Sequence, residues 1–351
     1  MTASVRAPRH CILPPNLLDR LARTGDAALR EAALDALRTD ARFRLARAEL
    51  ASRRGGPGAQ PVTFARLGGS PQRTVHDQHH ATAQTFGAVV RSEGQAPVGD
   101  QAVDQAYDGL GATYAYYWQV FERDSIDGQG LPLHGCVHYG TSYPNAFWDG
   151  RGMFFGDGDG QMLTQTTAGI DVIGHELTHG VTQHEANLVY SGQSGALNES
   201  NSDVFGIQVK QLALGQTSET SDWLIGADIV GPALRPALRS MKAPGTANPH
   251  DDQPATMDGY VPDGDVHTNS GIPNHAFYVL ATTLGGNAWD KAGPIWYRTL
   301  CDRQLHPTAT FSSFARISLT NASHLYGAQS AETDAVRASW DAVKVRITAG
   351  G

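Results

Sequence analysis

The stretch Ile170-Asp171-Val172-Ile173-Gly174-His175-Glu176-Leu177-Thr178-His179 decides how this chain is read. Val172, Ile173, Leu177 and Val181 recur near helical spacing, and no proline interrupts 170–187. Asp171 suits the first turn of such a helix. On a helix, His175 and His179 share one face, so two imidazoles can hold one zinc ion. Glu176 lies between them, placed to act on a water at the metal. The pattern points to zinc-dependent peptide hydrolysis. Gly174 and Gly180 each weaken the helix by roughly 1 kcal/mol, which points to close packing or room for a ligand. The competing reading is a buried helix with two satisfied histidines.

A catalytic zinc takes three protein ligands and keeps a position for water. The run from Ser194 to Gly206 supplies a candidate. Glu199 begins a second helical stretch and is read as the third ligand. Asp203, four residues on, shares its face and is read as the partner that fixes the tautomer of His175.

With these residues in view, the chain resembles the thermolysin family of zinc neutral metallopeptidases. The resemblance is carried by Asn145-Ala146-Phe147-Trp148, the run Phe155 to Gly160, the zinc helix and Gly195 to Gly206. It continues through Leu238-Arg239-Ser240-Met241 and Val266 to Ile272, in the family's order. The short N-terminal piece with Ile12-Leu13-Pro14-Pro15-Asn16-Leu17-Leu18 is similar to the protealysin-like subgroup. The resemblance implies an α+β fold. A β-rich subdomain over 74–169 would meet a mostly helical one over 170–351, with the zinc helix at the cleft between them.

It also implies roles. His175, His179 and Glu199 match the zinc ligands, and Glu176 the general base. His267 and Tyr190 match donors to the developing oxyanion. Asn145 and the backbone of Ala146 match groups that hold the substrate main chain. Arg239 matches the arginine on the substrate carbonyl, and Leu163, Val172 and Leu238 the walls of an apolar pocket for the side chain after the cleaved bond. The expected activity is endopeptidase cleavage before bulky hydrophobic residues by a Glu-activated water at the zinc. The alternative is a catalytically idle zinc-binding interaction protein on the same fold.

Two stretches depart from the family pattern. Pro262-Asp263-Gly264-Asp265 replaces the usual approach to the oxyanion histidine. Asp263 is taken as the residue that orients His267, with Asp265 as the alternative. At the family's double calcium site, Asp171 and Asp222 match two acids, but Lys210, Leu224 and Ala227 fall where others belong. Calcium wants six to eight oxygens. An ammonium–carboxylate cluster is expected there instead, so the double site reads as largely lost, while calcium binding as such stays open. The Gly156 to Gly160 run lacks the ligands of an EF-hand loop, with Gln161 and Ala168 at ligand positions.

Residues 1–54 are expected to be a helical propeptide whose leucines Leu17, Leu18 and Leu21 form one apolar face. A linker over 55–73, opened by Gly55-Gly56-Pro57-Gly58, would follow. The resemblance implies that this front end covers the cleft and is removed by self-cleavage between Ala51 and Arg73. Cys11 is read as a small buried thiol, against the sharper reading of a thiolate capping the zinc. His76, His79 and His80 are read as a solvated turn, and His184 as an exposed helix residue.

The 351 residues carry 27 basic and 35 acidic side chains, a net charge of -8, which argues against a nucleic-acid partner. No apolar run is long enough to span a membrane, and the first residues lack the apolar core of a secretory signal, so none is expected. Its partners should be protein or peptide substrates and its own propeptide. A monomer made in the cytoplasm is expected, leaving by a non-classical route or by lysis. Three cysteines, Cys11, Cys136 and Cys301, do not make a disulfide framework.

Overall fold

The computed structural model describes residues 11–38, 69–83 and 85–347. The expected linker and its cleavage region up to residue 68 lie outside them. The N-terminal segment enters as a short strap over 11–14, then α1 (Pro15–Thr24) and α2, helical over 27–38. Pro15 at the first helical position costs α1 nothing, because that N–H has no partner within the helix. Leu17, Leu18 and Leu21 are buried, as their spacing predicted. They join the same core cluster as the catalytic part.

Five strands follow: β1 (Arg73–Asp77), β2 (Ala88–Ser92), β3 (Leu133–Val137), β4 (Ala146–Trp148) and β5 (Met153–Phe155). They form one mixed sheet in the order β2-β1-β3-β5-β4, so β4 is an edge. The 21-residue α3 (Gln101–Phe121) packs on this sheet, so the region is less purely β than its aromatic and β-branched residues suggest. Asp100 caps it by accepting from the backbone of Ala102 and Val103 at 2.9 and 3.2 Å.

Beyond residue 170 helices dominate. They are α4 (Ile170–His184), α5 (Gly192–Leu214), α6 (Val266–Asn269), α7 (Gly271–Leu284), α8 (Ala292–Leu300), α9 (Phe311–Tyr326) and α10 (Ala331–Ala342). A short ribbon of β6 (Leu224–Ile225) and β7 (Arg239–Ser240) carries Arg239. Among the described residues no helix is long and apolar enough to cross a membrane.

The contact between α4 and α5 sets the site. A Cβ on Gly206 would stand 2.5 Å from the carbonyl oxygen of Asp171 and 3.0 Å from the backbone nitrogen of His175. One on Gly174 would stand 3.0 Å from the Cα of Gly206. The two backbones touch, and that lets α5 place its side chains within reach of the α4 histidines. Gly206→Ala is therefore expected to lose about 1–3 kcal/mol of stability, as overpacked cores do. Metal affinity should fall with it. Chemical denaturation and a metal competition assay check both, and wild-type values in each would deny the close contact.

Candidate active site

α4 presents its two histidines inward, and both are fully buried. His175 Nδ1 donates to Asp203 Oδ1 at 2.8 Å, and His179 Nδ1 donates to Asn198 Oδ1 at 2.8 Å. Each ring thereby turns its Nε2 lone pair toward the other, at 3.1 Å. Two facing lone pairs repel unless a proton or a cation sits between them.

Glu199, from α5, completes the group. His175 Nε2 is 3.4 Å from Glu199 Oε2, and His179 Nε2 is 3.5 Å from Oε1. Two donors each about 2.1 Å from one tetrahedral zinc stand about 3.4 Å apart. The histidine pair at 3.1 Å, with a Glu199 oxygen within about 3.5 Å of each ring, is of a size to hold a zinc ion. Among the described residues no other group of His, Cys, Asp or Glu brings three ligand atoms this close.

Charge follows the same geometry. Burial would lower the His175 imidazole, but Asp203 and Glu199 outweigh it and raise it. His179 is driven down, chiefly by burial, with Glu199 opposing and His175 adding to the fall. Glu199 stays ionised well below the usual carboxylate range, because His267 and both α4 histidines overcome its desolvation.

Glu176 points from the same helix into this space. Its Oε2 accepts from the Trp148 backbone N–H at 3.1 Å, while Oε1 has no partner. Burial pushes its carboxyl up to about 8, partly offset by His175.

His267 and Tyr190 close the opposite side. His267 Nε2 lies 3.2 Å from Glu199 Oε2 and 3.4 Å from the Tyr190 hydroxyl. The Tyr190 hydroxyl itself donates to Glu199 Oε1. The aspartate on His267 Nδ1 is Asp265, at 2.7 Å, and not Asp263. Asp265 is the N-cap of α6, and the same Oδ1 also accepts from the His267 backbone at 2.9 Å. Asp263 sits in a turn with φ of 57°, outside that cap. Burial would lower His267, but Glu199 and Asp265 raise it.

A peptide already lies in the cleft: the strap formed by residues 11–13. Leu13 N–H donates to Asn145 Oδ1 at 3.0 Å, and Asn145 Nδ2 donates to the Leu13 carbonyl at 3.4 Å. Ile12 N–H donates to the Ala146 carbonyl at 3.2 Å. Arg239 donates to the Ile12 carbonyl at 3.3 Å, and His267 Nε2 meets the Cys11 carbonyl at 3.2 Å. Leu163, Val172 and Leu238 are buried in the apolar cluster that also holds Ile12 and Leu13.

Arg239 is held by two bonds to Asp203, at 2.8 and 2.9 Å, and Asn274 Nδ2 donates to the same carboxylate at 2.8 Å. Sequence reasoning missed Asn198, Ser202 and Asn274. The first two were findable: four residues apart on α5, they share a face. Ser202 Oγ lies 3.0 Å from His179 Nδ1, beside the Asn198 bond.

The remaining candidates lie elsewhere. The Cys11 thiol packs with Cys136, Tyr139, Tyr143, Phe147 and Phe154, and bonds the Leu13 carbonyl at 3.4 Å. That is the buried-thiol reading. His79 and His80 are exposed at positive φ, but His76 is buried in the sheet, 3.0 Å from His134. His76 is thus no part of a solvated turn. His184 is exposed on α4.

A buried His/His/Glu set with an unpartnered carboxylate oxygen beside it defines a metal-dependent hydrolase. Comparison with known proteins agrees. The thermolysin metallopeptidase catalytic-domain model matches residues 65–183, and the thermolysin alpha-helical-domain model matches 186–345. An extracellular metalloprotease of Pectobacterium carotovorum is 50% identical, over 80% of this chain and 82% of its own. Protease PrtS of Photorhabdus is 46% identical, over 78% and 76%. The solved precursor of protealysin from Serratia proteamaculans is 45% identical with a TM-score of 0.84, covering 96% of this chain and all of that one. The chain belongs to the thermolysin family and is a metallopeptidase.

Proposed function

We propose that the chain is a zinc endopeptidase made as a self-inhibited precursor, cutting internal peptide bonds before bulky apolar residues. The strap carries this reading. Its backbone is hydrogen-bonded residue by residue in the cleft, with the buried apolar side chains of Ile12 and Leu13 following the carbonyl that faces His267.

His175, His179 and Glu199 would hold the zinc, which supplies a Lewis acid that polarises a carbonyl and acidifies water. The chain's own groups do the rest. Asn145, Ala146 and Arg239 fix an extended substrate main chain. Glu176 Oε1 takes a proton from the attacking water and returns it to the departing amine. His267, held through Nδ1 by Asp265, turns Nε2 to the oxygen on which negative charge develops, as Tyr190 does once its hydroxyl turns from Glu199. Each such donor is worth roughly 3–4 kcal/mol in comparable sites. Asp265 keeps the imidazole ring in place.

The reading takes residues 11–38 as part of the inhibitory segment. Asn16 bonds Thr268 at 3.0 Å, and Arg20 bonds the His250 carbonyl at 3.0 Å and pairs with Asp252. At the place of the family's double calcium site stands an ammonium–carboxylate cluster. Lys210 Nζ lies 3.3 Å from Asp222 and 4.0 Å from Asp228, supplying a positive charge of its own. Protein freed of its N-terminal segment should cleave a quenched peptide with leucine after the scissile bond. A zinc chelator should abolish the rate, and about one equivalent of zinc should restore it. Full activity in chelated protein would overturn the metal assignment, and silence of zinc-loaded, freed protein would favour a zinc-binding interaction protein.

A further inference from the structure

We propose that the chain is threaded through its own active site as a substrate, so that the Cys11–Ile12 peptide bond is a self-cleavage site. This rests on the endopeptidase reading above. Three carbonyls of the strap face three different partners. Leu13 O faces Asn145, and Ile12 O faces Arg239, whose charge is bound up with Asp203. Cys11 O faces His267 Nε2, the nitrogen that also stands 3.2 Å from Glu199 of the metal-ligating group. Cys11 therefore presents the carbonyl in the oxyanion position, and the bond at risk is the one from that carbonyl to Ile12. The nitrogen that would leave, Ile12 N, is held by the Ala146 carbonyl. The side chains that follow it, Ile12 and Leu13, are fully buried. Direction, register and side-chain preference agree.

The step is a hydrolysis. The oxygen of one water joins the Cys11 carbonyl carbon, the C–N bond breaks, and Ile12 nitrogen takes up a proton. The products are a Cys11 carboxylate and an Ile12 amine, and no other reactant enters. The cut need not free the cleft. Downstream, Leu17, Leu18 and Leu21 stay buried and Arg20 stays bonded to the His250 carbonyl. It is separate from any cut that removes the whole N-terminal segment.

Cys11–Ile12 is the one Cys–Ile pair in the sequence, so carbonyl-13C cysteine with 15N isoleucine gives a single coupled NMR signal. In metal-free full-length protein that carbonyl signal should shift in His267→Ala. On adding zinc, the coupling should vanish at the rate at which mass spectrometry shows a chain beginning at Ile12. That rate should not change over a tenfold range of protein concentration. Glu176→Gln should slow it at least a hundredfold. A synthetic peptide of residues 8–18, given to protein freed of its N-terminal segment, should be cut at the same bond. Ile12→Gly in the peptide should slow that cut at least tenfold. Cleavage of the quenched peptide with Cys11–Ile12 left intact in both arms would overturn the proposal and leave the endopeptidase reading standing. No cleavage of any substrate by zinc-loaded, freed protein would overturn both.

Discussion

Glu176→Gln, in protein freed of its N-terminal segment, is expected to lose three to four orders of magnitude in kcat/KM while binding zinc as well as wild type. General acid–base groups contribute about 10²–10⁴-fold. Glu176 sits toward the top of that range because its Oε1 is buried with no partner. Glutamine keeps the volume and can still accept from the Trp148 backbone, as Oε2 does at 3.1 Å. It removes only the ability to take a proton. The check is a quenched-peptide assay beside a metal analysis of the same samples. A variant that binds zinc and keeps more than a tenth of the rate would move the base elsewhere.

Asp203→Ala should give the largest loss of stability, about 3–5 kcal/mol, the range for breaking a buried ion pair by removing one partner. Asp203 is fully buried and accepts from His175, twice from Arg239 and from Asn274. Alanine strands the Arg239 guanidinium, itself buried, without its counter-charge. It also frees His175 Nδ1, and losing such a partner costs about 10–100-fold in metal affinity. The double variant Asp203→Ala, Arg239→Met should be more stable than Asp203→Ala alone, since no orphan charge remains. Denaturation of all three chains tests this as a cycle. A loss under about 1 kcal/mol in the single variant would mean that water reaches the site.

What could be read from the sequence was what is local on a helix. His175, Glu176 and His179 fall within one turn and a half, and Glu199 and Asp203 are one turn apart. Helical geometry alone therefore oriented them. α1 was legible for the same reason, through Leu17, Leu18 and Leu21. The failures occurred where a longer-range or capping contact decides. Asp263 lost to Asp265 because the α6 N-cap, and not distance along the chain, sets which carboxylate reaches His267. An Asp two residues before that histidine, at a helix start, carried the signal. His76 was grouped with its neighbours in sequence, but strand pairing buries it beside His134. Asn274 comes from α7, and no spacing rule connects it to Asp203.

The place of β4 in the sheet has a consequence for what this enzyme can digest. The strap adds to that edge as an antiparallel neighbour, with Cys11 bridged to Phe147. On the endopeptidase reading, a substrate that docks as the strap does must offer backbone groups not already paired elsewhere. A segment already committed to a helix, or to the middle of another protein's sheet, has no such backbone to lend. The proposed endopeptidase reading therefore predicts selection first on conformation and only then on side chains, with frayed ends and long loops cut ahead of tightly folded segments. In the full chain this edge of β4 is covered by the chain's own residues, which is how an exposed strand edge is kept from pairing elsewhere.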